Sequence, residues 1–236
     1  MLRINNLTKT YSNGKRAVDG LTLAVNDGEI YGFIGHNGAG KSTTIKAVVG
    51  ALGFDSGEIF INDKSIVNDA IEAKRQIAFV PDNPDIYEFM TGIGYLNFVA
   101  DIYQVSKEDR TKIIEKYSKV FEIGLNLGDL ISSYSHGMRQ KLVLISALVH
   151  SPKVLVLDEP FVGLDPVASH NLKEIMKDLC QNGCSIFFST HVLEVAEKLC
   201  DRIGIIKGGK LVAEGTVEQV VGDKTLEGLF LEIQNA

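Results

Sequence analysis

A glycine-rich segment that ends in lysine and serine is the first part of the chain whose residue types could do chemistry. Residues 35–42 read GHNGAGKS and fit the pattern G-x-x-x-x-G-K-[ST]. They follow an apolar run at 30–34 and precede a helical stretch at 42–50. Main-chain N–H groups that converge at a helix N-terminus can surround a triphosphate only where side chains do not intrude. The segment therefore predicts a phosphate-binding loop.

The side chains of this loop have separate predicted tasks. Lys41 would bring a positive charge to the β- and γ-phosphates and counts as catalytic, and the Ser42 hydroxyl would ligate Mg²⁺. His36 stands at a variable position, so no chemistry is assigned to its side chain. The loop residues predicted to bind the triphosphate are Gly35, His36, Asn37, Gly38, Ala39, Gly40, Lys41, Ser42 and Thr43.

Two carboxylates follow the apolar run at 154–157. A strand end of this kind normally lies beside the phosphate loop of a parallel sheet, where Asp158 could hold Mg²⁺ directly or through water. Glu159 would then be free to orient and deprotonate an attacking water. Taken alone, the pair is equally a solvated turn. A phosphate loop in the same chain favours the catalytic interpretation.

The order of predicted elements indicates an α/β fold with a mainly parallel sheet. Several later apolar runs are continuous, as expected for strands covered on both faces. Turns are predicted at Asn13-Gly14 and Asp27-Gly28, and Gly208-Gly209 makes a hairpin that ends near Glu214. The predicted strands are 2–7, 21–25, 29–34, 58–61, 77–80, 154–157, 185–189 and 203–207.

Between 87 and 150 the apolar residues recur at spacings of three and four, and no strong strand pattern occurs. This predicts an inserted helical subdomain at 87–150 within a single domain of residues 1–236, whose α/β core is 1–86 and 151–236. The tail at 225–233 also has helical spacing. We expect its apolar stripe to pack on the core, with partner binding as the alternative.

Composition excludes several classes of protein. The apolar share of 45% and the charged share of 23% are typical of a globular cytosolic protein. The net charge of −6 argues against a broad nucleic-acid surface. Apolar runs fall short of the roughly 18 residues of a membrane span, and the N-terminus lacks the apolar stretch of a secretory signal. Cys180, Cys184 and Cys200 match no metal pattern, which predicts reduced thiols.

Further motifs carry a resemblance to a known family. Residues 134–141, YSHGMRQK, look like the signature of the ABC ATPases, and 154–160, VLVLDEP, look like their Walker B strand. Residues 163–166 resemble the D-loop, and 189–191 resemble the segment with the switch histidine. The motifs keep the family's order, and the resemblance covers essentially the whole chain. It implies a P-loop NTPase core with an antiparallel β subdomain and the inserted helical subdomain.

The resemblance also implies how the base of ATP is held. Tyr11 stands where the family has an aromatic residue that stacks on adenine, and Val18 stands where it packs an aliphatic side chain near the nucleotide. Stacking suits this task because every base has a planar face. The alternative for Tyr11 is a tyrosine on a surface turn.

Other residues are implied to act across a dimer. Ser135 and Gly137 begin a predicted helix, which in the family reaches the γ-phosphate held by the opposite subunit. Ser135 is otherwise explained as an ordinary N-cap. His191 would contact the γ-phosphate and the attacking water, and counts as catalytic, while Asp165 would lie at the dimer seam. Two ATP molecules would then be shared by a head-to-tail pair.

The chain departs from the family's pattern at several positions. Asp82 stands where many members have a glutamine that contacts Mg²⁺ and the transporter, so Asp82 is a candidate metal ligand. Tyr134 and His136 replace a common leucine and glycine of the signature. Met138 replaces a common glutamine, and this variant resembles a branch that serves bacterial exporters.

The expected function is ATP hydrolysis that drives transport through separate transmembrane permease subunits, with an exporter favoured. The cofactors would be ATP and Mg²⁺, the partners a permease and a second ATPase subunit, and the location the cytoplasmic face of the membrane. No nucleic-acid partner is expected. A non-transport ABC ATPase is the alternative. A GTP-binding switch protein is disfavoured because no N-K-x-D motif occurs.

Overall fold

The computed structural model describes residues 1–235. Its strands are β1 (Leu2–Thr10), β2 (Arg16–Val25), β3 (Ile30–Ile34), β4 (Ser56–Ile61), β5 (Lys64–Ser65), β6 (Ile77–Val80), β7 (Val154–Asp158), β8 (Ser185–Thr190), β9 (Arg202–Lys207) and β10 (Lys210–Thr216). Its helices are α1 (Lys41–Val48), α2 (Ala70–Arg75), α3 (Gly92–Ile102), α4 (Lys107–Val120), α5 (His136–Leu148), α6 (Pro166–Gln181), α7 (Leu193–Leu199), α8 (Val217–Val221) and α9 (Leu226–Asn235).

The larger sheet of the described chain has the strand order β10-β9-β3-β8-β7-β6. Its members pair in parallel except for β10, which lies antiparallel to β9. Every residue of β3, β7 and β8 is buried, which explains their continuous apolar sequences. The predicted α/β class with a mainly parallel sheet is confirmed.

The register of this sheet brings three chain segments to one edge. Ile34, the last residue of β3, lies opposite Thr190 at the end of β8, and Asp158 at the end of β7 lies opposite Ser189. The phosphate loop, the acidic pair and the segment of His191 each continue from one of these carboxyl ends. An open parallel sheet binds its ligands at this edge.

A smaller antiparallel sheet with the order β2-β1-β4-β5 packs on the first. Its inward residues share one apolar core with α1 and with strands of the larger sheet; Leu2, Ile4, Val18, Ile45 and Phe187 are all buried there. Strands β1 and β2 run longer than predicted because the hairpin pairs Thr10 with Arg16 around the Asn13-Gly14 turn. The predicted antiparallel part of the fold is confirmed.

The segment between 87 and 150 contains α3, α4 and α5, as the periodicity predicts. Each helix begins at a residue whose side chain accepts a hydrogen bond from the first turn: Thr91 from Gly94 N, Ser106 from Asp109 N and Ser135 from Met138 N. The apolar faces of these helices pack together and continue the core onto β6, β7 and α6.

Other predictions can be compared with the remaining elements. The apolar face of α9 packs with α7 and β9, so the predicted core packing of the tail is confirmed. The three cysteines are free thiols, as expected, and burial raises the pKa of Cys180 to about 12. Helices α2, α6, α7 and α8 and the short strand β5 have no counterpart among the predicted elements. Within residues 1–235, no helix combines the length and apolarity that crossing a bilayer requires.

Candidate functional site

The phosphate loop joins the end of β3 to the start of α1. Gly40 adopts a φ of +118°, and a Cβ placed on it would lie 2.4 Å from the carbonyl oxygen of Ala17. A Cβ on Gly35 would lie 2.7 Å from the carbonyl oxygen of Ile206. These glycines therefore allow close backbone approach within the protein, in addition to the space that they leave for phosphates.

Lys41 reaches back across the loop from the first turn of α1. Its Nζ donates a 2.6 Å hydrogen bond to Gly35 O and lies 3.5 Å from Oε1 of Glu159. Only 6% of the lysine is exposed. A buried ammonium needs acceptors or anionic groups around it, so this position favours an additional anionic ligand.

The acidic pair is held from the end of β8. Oδ1 of the buried Asp158 accepts a 2.5 Å hydrogen bond from the Ser189 hydroxyl, which also lies 3.1 Å from the backbone N–H of Glu159. Glu159 has a φ of +50°, a conformation that is uncommon for a residue with a side chain. Its Oε2 lies 2.9 Å from Nδ1 of His191.

The second oxygen of Glu159 is left open. Oε1 is buried and makes no hydrogen bond with any of the described residues, although Lys41 lies 3.5 Å away. Buried polar atoms are nearly always satisfied by protein, water or ligand. A buried carboxylate oxygen without such a partner is suited to accept a hydrogen bond from a water or a ligand.

A cavity of about 200 Å³ connects the phosphate loop with the turn after β1. The hydroxyl of Tyr11 lies 3.1 Å from that of Thr43, and Lys41 and Glu159 line the same cavity. The lining residues are Tyr11, Lys15, Ala17, His36, Asn37, Gly38, Gly40, Lys41, Ser42, Thr43, Asp82 and Glu159.

The donors around this cavity fit Mg²⁺ beside a polyphosphate. Mg²⁺ prefers oxygen ligands from carboxylates, hydroxyls and phosphates. Ser42 and Asp82 line the cavity and offer such oxygens, and Asp158 directly precedes the lining residue Glu159 in the chain. The glycine-rich backbone and two lysines offer the complementary groups for phosphate.

Several predicted site residues lie elsewhere. Val18 is completely buried in the core between the sheets, and its neighbour Ala17 lines the cavity instead. Ser135 and Gly137 are not among the residues that line the cavity in the described chain; Ser135 accepts a 3.3 Å hydrogen bond from Met138 N as the cap of α5. Gly137 packs near the carbonyl oxygen of Gly163.

Sequence reasoning missed two polar residues of this region. Lys15 lines the cavity with no ion pair among the described residues, and its backbone O accepts a 2.9 Å hydrogen bond from Tyr11 N. Ser189 orients both members of the acidic pair. The position of Ser189 near the end of the strand beside the acidic strand indicates its role. Nothing in the residues around Lys15 indicates that Lys15 lines the cavity.

Comparison with known families decides the identity. The family model described as ABC transporter matches residues 18–162, a range that includes the phosphate loop and the acidic pair. The ABC-type transporter ATP-binding protein EcsA of Bacillus subtilis is 33% identical over 238 residues, which cover 99% of this chain and 96% of that protein. The chain belongs to the ABC transporter family. A model described as AAA domain, putative AbiEii toxin, Type IV TA system also matches residues 130–197.

Other relatives of this ABC ATP-binding subunit support the same family assignment. The linearmycin resistance ATP-binding protein LnrL of Bacillus subtilis is 34% identical over 216 residues, which cover 92% of this chain and 69% of that protein. A solved structure described as an ATP-binding subunit of an ABC transporter is 32% identical, has a TM-score of 0.95 and covers 99% of each chain. This ABC protein is thus an ATPase subunit that uses ATP with Mg²⁺.

Proposed function

We propose that this subunit hydrolyses ATP at the cavity between Tyr11 and Glu159. The observation that carries the proposal is the convergence of Lys41, Glu159 and His191 at one edge of the sheet, beside a glycine-rich loop. The triphosphate occupies the loop and takes the Lys41 ammonium as a partner. Gly35, Asn37, Gly38, Ala39 and the other loop residues supply backbone N–H groups.

Glu159 is the proposed general base. Its open Oε1 accepts a proton from a water, whose oxygen attacks the γ-phosphorus while the bond from that phosphorus to the β,γ-bridging oxygen breaks. The products are ADP and inorganic phosphate. His191 orients the carboxylate through Oε2 and senses the γ-phosphate.

Mg²⁺ would be held by Ser42 and by Asp158, directly or through water, and supplies positive charge to the phosphates when bound. Asp82 lines the same cavity and is a further candidate ligand. The Ser189 hydroxyl restricts Asp158 through their 2.5 Å hydrogen bond. Tyr11 is proposed to stack on adenine, with an aliphatic wall from Ala17 beside Val18.

Two copies are proposed to close head to tail over two ATP molecules. Ser135 and Gly137 at the start of α5 lie outside the cavity of their own subunit, which leaves them to act on the nucleotide of a second one. Val162 and Val167 flank the proposed seam at Asp165 and are about half exposed, at 48% and 56%. Residues 87–150 would move as the helical subdomain, with 1–86 and 151–236 as the core.

A transmembrane permease subunit is the proposed partner, at the cytoplasmic face of the membrane. The exposed rings of Tyr87, Phe89 and Phe98 form a connected aromatic group, with the centroids of the two phenylalanines 5.7 and 5.8 Å from that of Tyr87. Exposed apolar patches mark protein interfaces. The variant signature with Met138 and the similarity to a resistance protein favour export. No nucleic-acid partner is proposed.

Sedimentation of a hydrolysis-deficient variant tests this function. Purified Glu159→Gln protein is expected to form dimers with Mg-ATP and to remain monomeric with ADP. Adding Ser135→Arg should prevent dimers, whereas the matched exposed change Ser106→Arg on another helix cap should not. A protein that stays monomeric at saturating ATP would contradict the closure step.

A further inference from the structure

The turn between β9 and β10 contacts both the phosphate loop and β2, but it does not line the nucleotide cavity. Gly209 N donates a 2.9 Å hydrogen bond to Ala39 O of the phosphate loop. Gly209 O accepts a 2.9 Å hydrogen bond from Asp19 N in β2. A single residue that does not line the cavity thereby connects the loop to β2 through its backbone alone.

The packing at this junction leaves no room for a side chain. The carbonyl oxygen of Ala17 would lie 2.9 Å from a Cβ on Gly209 and 2.4 Å from a Cβ on Gly40, closer than real Cβ atoms come. Ala17 itself lines the cavity. Three backbone segments therefore meet at one oxygen, and a shift in any of them moves the others.

The junction also governs the position of Tyr11. Strand β2 pairs with β1 from Arg16 opposite Thr10, so residues 11–15 form the connection that carries both Tyr11 and Lys15 into the cavity wall. The hydroxyl of Tyr11 lies 3.1 Å from that of Thr43, which follows the phosphate loop in the first turn of α1. A displacement of β2 from the loop would widen this gap.

We propose that Gly209 is a positioning residue for ATP: its two backbone hydrogen bonds set the distance between Tyr11, on the base side, and the phosphate loop. This inference rests on the proposed binding of ATP in the cavity. A site whose parts are already held at the spacing of the ligand binds more tightly, because less conformational entropy is lost on binding. Gly209 touches no atom of the nucleotide in this arrangement.

Two glycine variants separate positioning from ordinary strain. Gly209 has a φ of +82° and Gly183, after α6, has a φ of +83° with nothing within 4 Å of a Cβ. Gly209→Ala and Gly183→Ala therefore share the backbone penalty, but only the former meets Ala17. Calorimetry with a non-hydrolysable ATP analogue should give about a tenfold or greater rise in Kd for Gly209→Ala and no change for Gly183→Ala.

Tripolyphosphate tests whether spacing is what changes. It binds the phosphate loop but has no base to stack on Tyr11, so its Kd should rise less than that of the ATP analogue in Gly209→Ala. An unchanged Kd for the analogue, or equal losses for both ligands, would overturn the inference. If the wild-type protein bound no analogue, the proposed function would fail, and this inference with it.

Hydrogen exchange in the wild-type protein gives a second test that needs no foldable variant. The Gly209 amide should exchange about tenfold more slowly with saturating analogue, because its bond to Ala39 is coupled to the occupied loop. The amide of Gly183, which donates to Cys180 O at 2.9 Å, serves as the internal control and should not change. Equal exchange of the Gly209 amide with and without bound analogue would count against the inference.

Discussion

The carboxylate of Glu159 is bound to His191 twice, since its Oε2 lies 2.9 Å from the ring Nδ1 and accepts a 3.3 Å hydrogen bond from the backbone N–H. The other oxygen, Oε1, is buried without a hydrogen-bond partner among the described residues. One oxygen therefore fixes the orientation of the group, and the other is left without a hydrogen bond in the described part of the chain. Residues from the ends of β7 and β8 make this arrangement together.

Glu159→Gln should remove hydrolysis while keeping ATP binding. The amide cannot accept a proton at neutral pH, so we expect kcat to fall about 10²–10⁴-fold. The measurement is phosphate release by purified protein, with the Kd for ATP determined by calorimetry. Glu174→Gln, which affects an exposed pair with Lys177 on α6, is the control and should leave kcat unchanged. Full turnover by Glu159→Gln would refute its role as base.

Lys41→Ala should weaken ATP binding itself. Removing one member of a buried charge pair costs about 2–5 kcal/mol, which corresponds to roughly 30-fold or more in Kd. Lys46→Ala is the matched control, because Lys46 lies on the same helix, α1, but is exposed. Calorimetry with a non-hydrolysable ATP analogue checks both variants. The same affinity in Lys41→Ala and wild-type protein would rule out the phosphate-loop assignment.

Tyr11→Ala and Tyr11→Phe distinguish stacking from hydrogen bonding. Base–aromatic stacking contributes about 1–3 kcal/mol, so the alanine variant should bind ATP roughly five- to 160-fold more weakly. The phenylalanine variant keeps the ring and loses only the 3.1 Å contact with the Thr43 hydroxyl. It should bind nearly as well as wild type. Equal losses in both variants would show that the hydroxyl, rather than the ring, holds the nucleotide.

His150 should make the stability of the protein depend on pH. Its ring stacks on Tyr103 at a centroid distance of 3.6 Å, and burial lowers the pKa of His150 to about 4. An unfolded histidine titrates near 6.5, so the unfolded chain binds more protons between pH 6.5 and about 4. The free energy of unfolding therefore falls as the pH falls through this window.

The variant His150→Phe keeps a ring on Tyr103 and cannot titrate. Between pH 7.5 and 4.5, the free energy of unfolding should decrease less for this variant than for the wild type. The difference between the two decreases should be on the order of 2 kcal/mol. Urea unfolding at both pH values measures this difference. Parallel pH profiles for the two proteins would show that His150 does not contribute.

The described structure also explains why one part of the site was readable from local pattern and another was not. The phosphate loop is a contiguous segment between a strand and a helix, so its residues identify it without tertiary information. Asp158 and Glu159 are likewise marked by the apolar strand before them. Helix α6 is not predicted from the sequence, although Asp165 caps it and Pro166 begins it. The resemblance to the D-loop accounts for both residues without a helix.

Sequence alone thus determined the α/β class, the loop and the acidic pair, since each depends on neighbours in the chain. Tertiary structure alone decided that Ala17, rather than Val18, lines the cavity, that Ser189 orients Asp158, and that Gly209 braces the phosphate loop. These contacts join residues that lie far apart along the chain. Local periodicity indicates which side of a strand is buried, but the packing of separate strands decides which atoms meet.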